Sequence, residues 1–425
     1  MEKKFRKKND SWIKLDNAAL VYPSASNNRW NNVFRVCAYL KEEVSPEILQ
    51  QALNKSIERF PHLDVTLRRG MFWHYFQNMQ TYPKIQNETE YPCRTMELNK
   101  KKHLFRVLYY KNKISFETFH SLTDATGAVC FLNTLVACYL VLTGKKISTN
   151  ELLADFNDKP NPEEIEDSFR RYADDTGCAP RNSKKAYQVH GTPEQNGKLN
   201  VITAVLEVDK LKECAKQKNC TITQLLVAMY IKCIVNYQKQ LVVKKRPVII
   251  NVPINLRRFF GTKTLRNFSS WLDVIIEGKD KTEDLDELIK IVKEQMSTIT
   301  KENLAKKINS NISAEKNIFV RLMPLFIKNI ALHFSYKLFG ERAYTTVLTN
   351  VGKVNAPKEF EDYVDRYDIL LCKSLMNTIN ISVISYKNKL SLTFTSCIKE
   401  KTIEKNMIAL FKNLGLDVTI YTNIK

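Results

Sequence analysis

At 425 residues the chain is too long for one ordinary hydrophobic core and predicts two lobes or domains. A hydrophobic fraction of 44% is that of a globular protein, and ten cysteines without a single C-x-x-C pair exclude a disulfide scaffold and a clustered zinc site. The formal charge of +21 is spread along the whole sequence in short clusters without interleaved aromatics, such as Lys244-Lys245-Arg246 and Lys306-Lys307. This argues against nucleic acid and leaves phosphate-bearing small molecules or acidic carrier proteins as anionic partners.

The N-terminus, MEKKFRKKNDSW, has no apolar run behind it, so no secretory signal and a cytoplasmic location are expected. Residues 33–40 alternate as a strand. Ser45-Pro46 then reads as an N-cap with proline at the first helical position, and Ile48, Leu49, Ala52, Leu53 and Ile57 form the buried stripe of the helix that follows. After Arg59-Phe60-Pro61-His62-Leu63 come strands through Val65 and Leu67 and over 104–110. In the next strand Ile114, Phe116, Thr118 and His120 share one face, which delivers His120 to the strand's end.

His120-Ser121-Leu122-Thr123-Asp124 is an H-x-x-x-D pair at a strand-to-helix junction, followed by Gly127 and an apolar run from Ala128 to Leu142 that only Asn133 and Thr134 interrupt. The spacing alone recurs by chance; its position is what marks it. The apolar run predicts a buried helix, short of the roughly 20 residues that cross a bilayer, so no transmembrane segment is expected.

Residues 156–200 are rich in Pro, Asn, Gly and Ser and read as a linker or crossover between an N-terminal lobe, 1–155, and a C-terminal lobe, 201–425. In the second half, 201–208 alternates as a strand before a short helix over 209–217. Thr221 and Gln224 have capping-box spacing ahead of an apolar helix through Asn236. A strand over 248–254 ends in Asn255-Leu256-Arg257-Arg258. Further strands are expected near 271–276, 344–350, 379–386 and 389–397, with helices near 281–299, 318–339 and 401–413. Segment 318–339, rich in Phe, Leu and Ile with Lys328 and Lys337, is expected to pack into the fold; lying on a membrane surface is its alternative.

The ordered set resembles the acyltransferase superfamily that includes chloramphenicol acetyltransferase, the condensation domains of nonribosomal peptide synthetases, the plant BAHD acyltransferases and the alcohol acetyltransferases. Its members are Arg59 to Leu63, His120 to Asp124, the apolar helix, Val252-Pro253-Ile254-Asn255-Leu256-Arg257, Asn267-Phe268-Ser269, Thr349-Asn350-Val351-Gly352 and the closing strand and helix. The His120 to Ala128 run looks most like the alcohol acetyltransferase-type branch. The resemblance implies an α+β fold of two chloramphenicol acetyltransferase-like α/β lobes with an interlobe channel, open at both faces, and His120 at its middle.

It also implies an acyl-CoA-dependent O-acyltransferase, in which His120 acts directly as general base on a hydroxyl or amine acceptor. Asp124 is then a brace paired across the lobes with Arg257, or with the adjacent Arg258. The oxyanion falls to backbone N–H groups near Ala125 to Gly127 or to Asn350, whose more ordinary reading is a turn residue before Gly352. Ala125 departs from the family's usual glycine, and its methyl group would narrow the channel or alter the backbone. The expected donor is acyl-CoA as co-substrate, with no permanently bound cofactor, no metal and a monomeric chain. The rival readings are a condensation enzyme fed by an acyl carrier protein and a non-catalytic binding module on the same fold.

Overall fold

In the computed structural model the described residues are 12–26, 32–98, 100–148, 153–180, 184–195, 198–241, 246–278, 283–335, 342–372 and 376–424. The basic N-terminus, Lys244-Lys245 and Lys337 lie outside them. The first half runs β1 (Trp12–Lys14), α1 (Val21–Ala25), β2 (Val33–Leu40), α2 (Pro46–Arg59), β3 (Val65–Arg69), β4 (His74–Asn78), β5 (Ile85–Asn87), β6 (Phe105–Tyr110), β7 (Lys113–Phe119) and α3 (Ala125–Leu142). In the largely irregular crossover lie a short 3-10 turn, Pro162–Ile165, and α4 (Ser168–Tyr172).

Then follow β8 (Asn200–Glu207), α5 (Val208–Gln217), α6 (Ile222–Gln240), β9 (Val248–Asn255), β10 (Ser269–Ile276), α7 (Leu285–Met296), α8 (Lys301–Lys316), α9 (Ile318–Leu322) and α10 (Leu325–Ser335). The chain closes with β11 (Thr346–Lys353), α11 (Phe360–Tyr363), β12 (Val364–Leu370), β13 (Ile379–Tyr386), β14 (Lys389–Ser396), α12 (Thr402–Asn413) and β15 (Thr419–Thr422).

One sheet has the order β12-β2-β7-β6-β5 and a second the order β10-β9-β11-β13-β14-β8-β15; β1-β4-β3 form a small third. In the second sheet β11 runs parallel to both neighbours, β9 and β13. The first sheet buries Phe34, Val36 and Phe116 against α2 and α3 in one core with Leu53, Phe131 and Leu135. The second buries Ile250, Ile381 and Phe394 with Ile231 of α6, Leu288 of α7 and Phe411 of α12. Two cores on two sheets make the two lobes that the chain's length predicts.

Several boundaries follow from caps. Both bonds of the expected capping box are present, Gln224 N–H to Thr221 Oγ1 at 3.2 Å and Thr221 N–H to Gln224 Oε1 at 2.8 Å. Ser45 instead turns its hydroxyl to Glu47, so proline alone marks the start of α2. Helix α3 begins at Ala125, three residues ahead of its apolar run, because Asp124 caps it. Its 18 residues are then long and apolar enough by length and composition to cross a membrane, yet most of the helix is buried inside the protein. The two polar residues that interrupt its apolar run are spoken for. Asn133 accepts from Tyr367 Oη and donates to the Asn355 carbonyl, and Thr134 Oγ1 donates to the Ala154 carbonyl.

Three corrections concern the second half. The expected helix over 318–339 is two helices, α9 and α10, separated at Pro324, and much of its apolar surface does not pack into the fold. Helix α8 is an additional element that buries Leu304, Ile308 and Ile312 against Phe169 and Phe268. Strand β12 pairs antiparallel with β2 from Val364 opposite Leu40 to Leu370 opposite Arg35, so the stretch 201–425 supplies an edge strand to the first sheet. Burial of Val364, Tyr367 and Ile369 in the first lobe's core holds it there.

Candidate active site

Strand β7 ends at Phe119, and His120 follows it at the junction with α3, held by its backbone N–H on the Asn32 carbonyl at 2.7 Å. Its ring is partly buried, stacked on Tyr22 of α1 with centroids 4.8 Å apart and tilted against Phe34 at 4.9 Å. His120 Nδ1 lies 3.0 Å from Asn267 Oδ1. The orientation of that amide is fixed, because Asn267 Nδ2 faces two acceptors, Asp16 Oδ2 and the Ser121 carbonyl, each at 3.3 Å. Nδ1 therefore carries the proton and donates it, and the lone pair resides on Nε2. Among the described residues Nε2 has no hydrogen-bond partner.

Burial pushes the His120 pKa below its ordinary value, outweighing its hydrogen bonds and the Asp124 carboxylate, which act upward. Behind the amide, Asp16 is fully buried; it accepts from the Ala19 N–H at 2.8 Å and lies 3.4 Å from Arg266 Nε. Burial raises its carboxyl above the usual range against the pull of Arg266. Neither Asn267 nor Asp16 is marked as a site residue by sequence. Asn267 stands in the Asn-Phe-Ser run, but nothing local says which side chain it meets.

Asp124 makes four contacts, none of them with a reacting group. Oδ1 caps α3 by accepting from the N–H groups of Thr126 at 3.1 Å and Gly127 at 3.2 Å. Oδ2 accepts from Arg257 Nη1 at 2.7 Å and from the Phe268 N–H at 3.0 Å. Arg257 in turn donates through Nε to the Thr264 carbonyl and through Nη2 to the Arg266 carbonyl. The expected ion pair is thus present between segments 133 residues apart, and Arg257 rather than Arg258 makes it. Arg258 is exposed and stands beside Gly352.

The two oxyanion candidates are engaged elsewhere. Gly127 spends its N–H on Asp124, and it is glycine for another reason: a Cβ there would meet the Leu265 carbonyl and Thr123 Oγ1, each at 2.1 Å. Thr123 Oγ1 already donates to that carbonyl at 2.6 Å. Asn350 donates to Thr223 Oγ1 at 2.9 Å and accepts from the Gly352 N–H at 3.0 Å, the bonding of a residue that clamps the irregularity in β11. Ala125 is half-buried at the first position of α3. Among the described residues no group of three or more His, Cys, Asp or Glu side chains is arranged to hold a metal ion.

The His120 loop and the 256–268 segment are thus tied together by side chains from both halves of the chain, and the crossover clamps them. Leu265 N–H donates to the Glu164 carbonyl at 2.7 Å, and Glu164 pairs with Arg59 at the end of α2.

In sequence the chain matches no family model and no curated protein. In structure it is similar to the trichothecene 15-O-acetyltransferase TRI3 from Fusarium sporotrichioides, with 12% identity and a TM-score of 0.62 over 96% of each chain. TRI101 of F. sporotrichioides, solved with coenzyme A and T-2, gives 10% identity and 0.62 over 96% of this chain and 99% of that one. The first condensation domain of the calcium-dependent antibiotic synthetase gives 12% and 0.60 over 96% of each. At such identities the likeness shows the fold, which is the two-lobed α/β architecture of chloramphenicol acetyltransferase-like and condensation-domain acyltransferases.

Proposed function

We propose that this chain transfers an acyl group from a coenzyme A thioester to a hydroxyl or amine acceptor, with His120 as general base. The observation that carries this reading is the state of the imidazole: Nδ1–H is spent on Asn267, and burial favours the neutral ring, which leaves Nε2 as the proton acceptor. In the proposed step Nε2 takes the acceptor's proton as its oxygen or nitrogen attacks the thioester carbonyl. The tetrahedral intermediate then expels the CoA thiolate, and the proton passes from His120 to the leaving sulfur. No acyl-enzyme forms. Asp124 and Arg257 are the brace that fixes the loop, and an interlobe channel beside His120 admits the two substrates from opposite sides. The coenzyme A bound to TRI101, a neighbour in fold, supports the choice of donor.

A second reading, with an acyl carrier protein presenting the thioester, is favoured by the likeness to a condensation domain. Incubation with labelled acetyl-CoA and a panel of alcohols and amines, read by mass spectrometry, tests the first. Product is expected, and His120→Ala should lower its rate by about 10²–10⁴ with an unchanged circular dichroism spectrum. Product only from carrier-bound thioesters would select the second reading. Equal turnover by a folded His120→Ala protein would remove His120 from the chemistry.

A further inference from the structure

From residue 316 to 340 the sequence carries Lys316, Arg321, Lys328 and Lys337 and no carboxylate; from 65 to 87 it carries Arg68, Arg69 and Lys84 and again none. The fold joins these two acid-free segments. Leu325 N–H donates to the Met71 carbonyl at 2.9 Å, and Lys328 Nζ donates to the Phe72 carbonyl at 2.9 Å while lying 3.5 Å from the centroid of the Trp73 ring. Lys328 is therefore buried as the fastener between α10 and the turn after β3. Around this junction large apolar side chains stand out of the protein: Phe319 is 79% exposed, Met71 75%, Phe326 67%, Leu322 63% and Ile330 58%. A single exposed apolar residue is ordinary, but five on two joined segments that carry bases and no carboxylate are not.

We infer that this face docks on an anionic lipid bilayer, with the tips of α9, α10 and the Met71-Phe72 turn inserted at headgroup depth and Lys316, Arg321 and Arg69 against the lipid phosphates. A second copy of this chain fits poorly, since two such faces would oppose base to base. A helix-in-groove protein partner wants one continuous stripe, and Pro324 breaks the stripe here. A fluid interface accepts separately protruding aromatic and aliphatic side chains with basic flanks.

The face also adjoins the candidate base. Helix α10 packs on α1, with Ser24 Oγ donating to Asn329 Oδ1 at 2.6 Å, and α1 carries the Tyr22 that stacks on His120. Docking would bring the site to membrane-dissolved substrates, a long-chain acyl donor or a lipid alcohol. That consequence rests on the proposed acyl transfer; the docking itself does not.

The test uses the full chain and vesicles of phosphatidylcholine, alone and mixed with phosphatidylglycerol, read by co-sedimentation. Binding to the anionic vesicles is expected, weakening with salt and much lower on phosphatidylcholine alone. The double variant Phe319→Ser/Phe326→Ser should keep its thermal midpoint and lose about tenfold or more in vesicle affinity, since two large apolar side chains leave the interface. The proposal is overturned if the anionic vesicles leave the protein in the supernatant, or if the double variant binds them as well as the parent. It is equally overturned if the patch instead drives dimerisation seen by ultracentrifugation, or binding of an acidic carrier protein, and the double variant abolishes that. None of these readouts needs enzymatic activity, so a failure here is distinct from a failure of the acyltransferase reading.

Discussion

In the proposed reaction His120 depends on an amide. With Asn267 Nδ2 committed to Asp16 and the Ser121 carbonyl, the imidazole is held in one tautomer and one orientation. Asn267→Ala is expected to lower kcat by about 10–100-fold with little change in KM, as when the partner of a histidine's second nitrogen is lost. The Asn267 bond also favours the charged ring, so its loss pushes the His120 pKa further down. The acid limb of kcat/KM, expected below the ordinary imidazole range in the parent, should move to still lower pH in the variant. A rate loss with the limb unmoved would make Asn267 structural only. Two other histidines bear on stability: burial pushes His62 down to about 3 and His74 down to about 4. The unfolded chain binds those protons first, so their stabilisation is complete above the unfolded value of 6.5 and is lost as pH falls from there toward 4 and 3. Urea midpoints measured downward from pH 7 should fall, and His62→Leu should flatten the fall. The sequence makes His120 and Asp124 visible because both belong to one local turn. Asn267 meets His120 across 147 residues, and a contact of that kind leaves no local pattern.

At the scale of elements, the turn from His120 to Gly127 is fixed at several points by the hydrogen bonds of Thr123 and Asp124. Asp124 joins the start of α3 to Arg257 and to the backbone at Phe268, so Asp124→Asn and Arg257→Leu should each lower stability and activity. Removing one side of such a pair costs about 3–5 kcal/mol when the other charge is left buried. The double variant should lose less than the sum, by about 0.5–3 kcal/mol of shared interaction, and strict additivity in a denaturation cycle would defeat the brace. Gly127→Ala forces the Leu265 backbone away from α3 and is expected to destabilise by about 1–3 kcal/mol, read as a lower thermal midpoint. Most elements are legible where apolar periodicity is clean, as in α2, α6, α12, β13 and β14. Helix α8 also has a signal, Leu304, Ile308 and Ile312 at four-residue spacing, hidden within a lysine- and asparagine-rich stretch. Strand β12 carries a weak signal for a physical reason. Arg366-Tyr367-Asp368-Ile369 alternates with Tyr367 and Ile369 in the core, but a register shift between Val364 and Arg366 puts Val364 out of phase with them, and Arg366 and Asp368 on the other face are buried as well, 3.4 Å apart.

For the molecule as a whole, β12 means that neither half of the sequence is a lobe by itself. The strand covers the outer edge of β2, and its Tyr367 hydroxyl donates to Asn133 Oδ1 inside α3 at 2.8 Å. Phe360, Val364 and Ile369 belong to the same core as Phe34 and Phe116. A fragment of residues 1–200 therefore lacks a strand and several core side chains, and it presents the bare edge of Val33–Leu40 to solvent. An unpaired apolar edge is a template for aggregation. The fragment expressed alone is expected to aggregate or to show a poorly dispersed NMR spectrum. Residues 201–425 supplied in the same cell should rescue it as a complex, because they return β12 together with the Arg257 and Asn267 contacts. The intact chain should then unfold in one transition, with calorimetric and van't Hoff enthalpies equal, since β13 feeds both cores, Ile381 the second and Ile384 the first, and both halves build the candidate site. A dispersed spectrum and cooperative unfolding from residues 1–200 alone would show that β12 is dispensable, and the boundary at the crossover would then mark an independent domain.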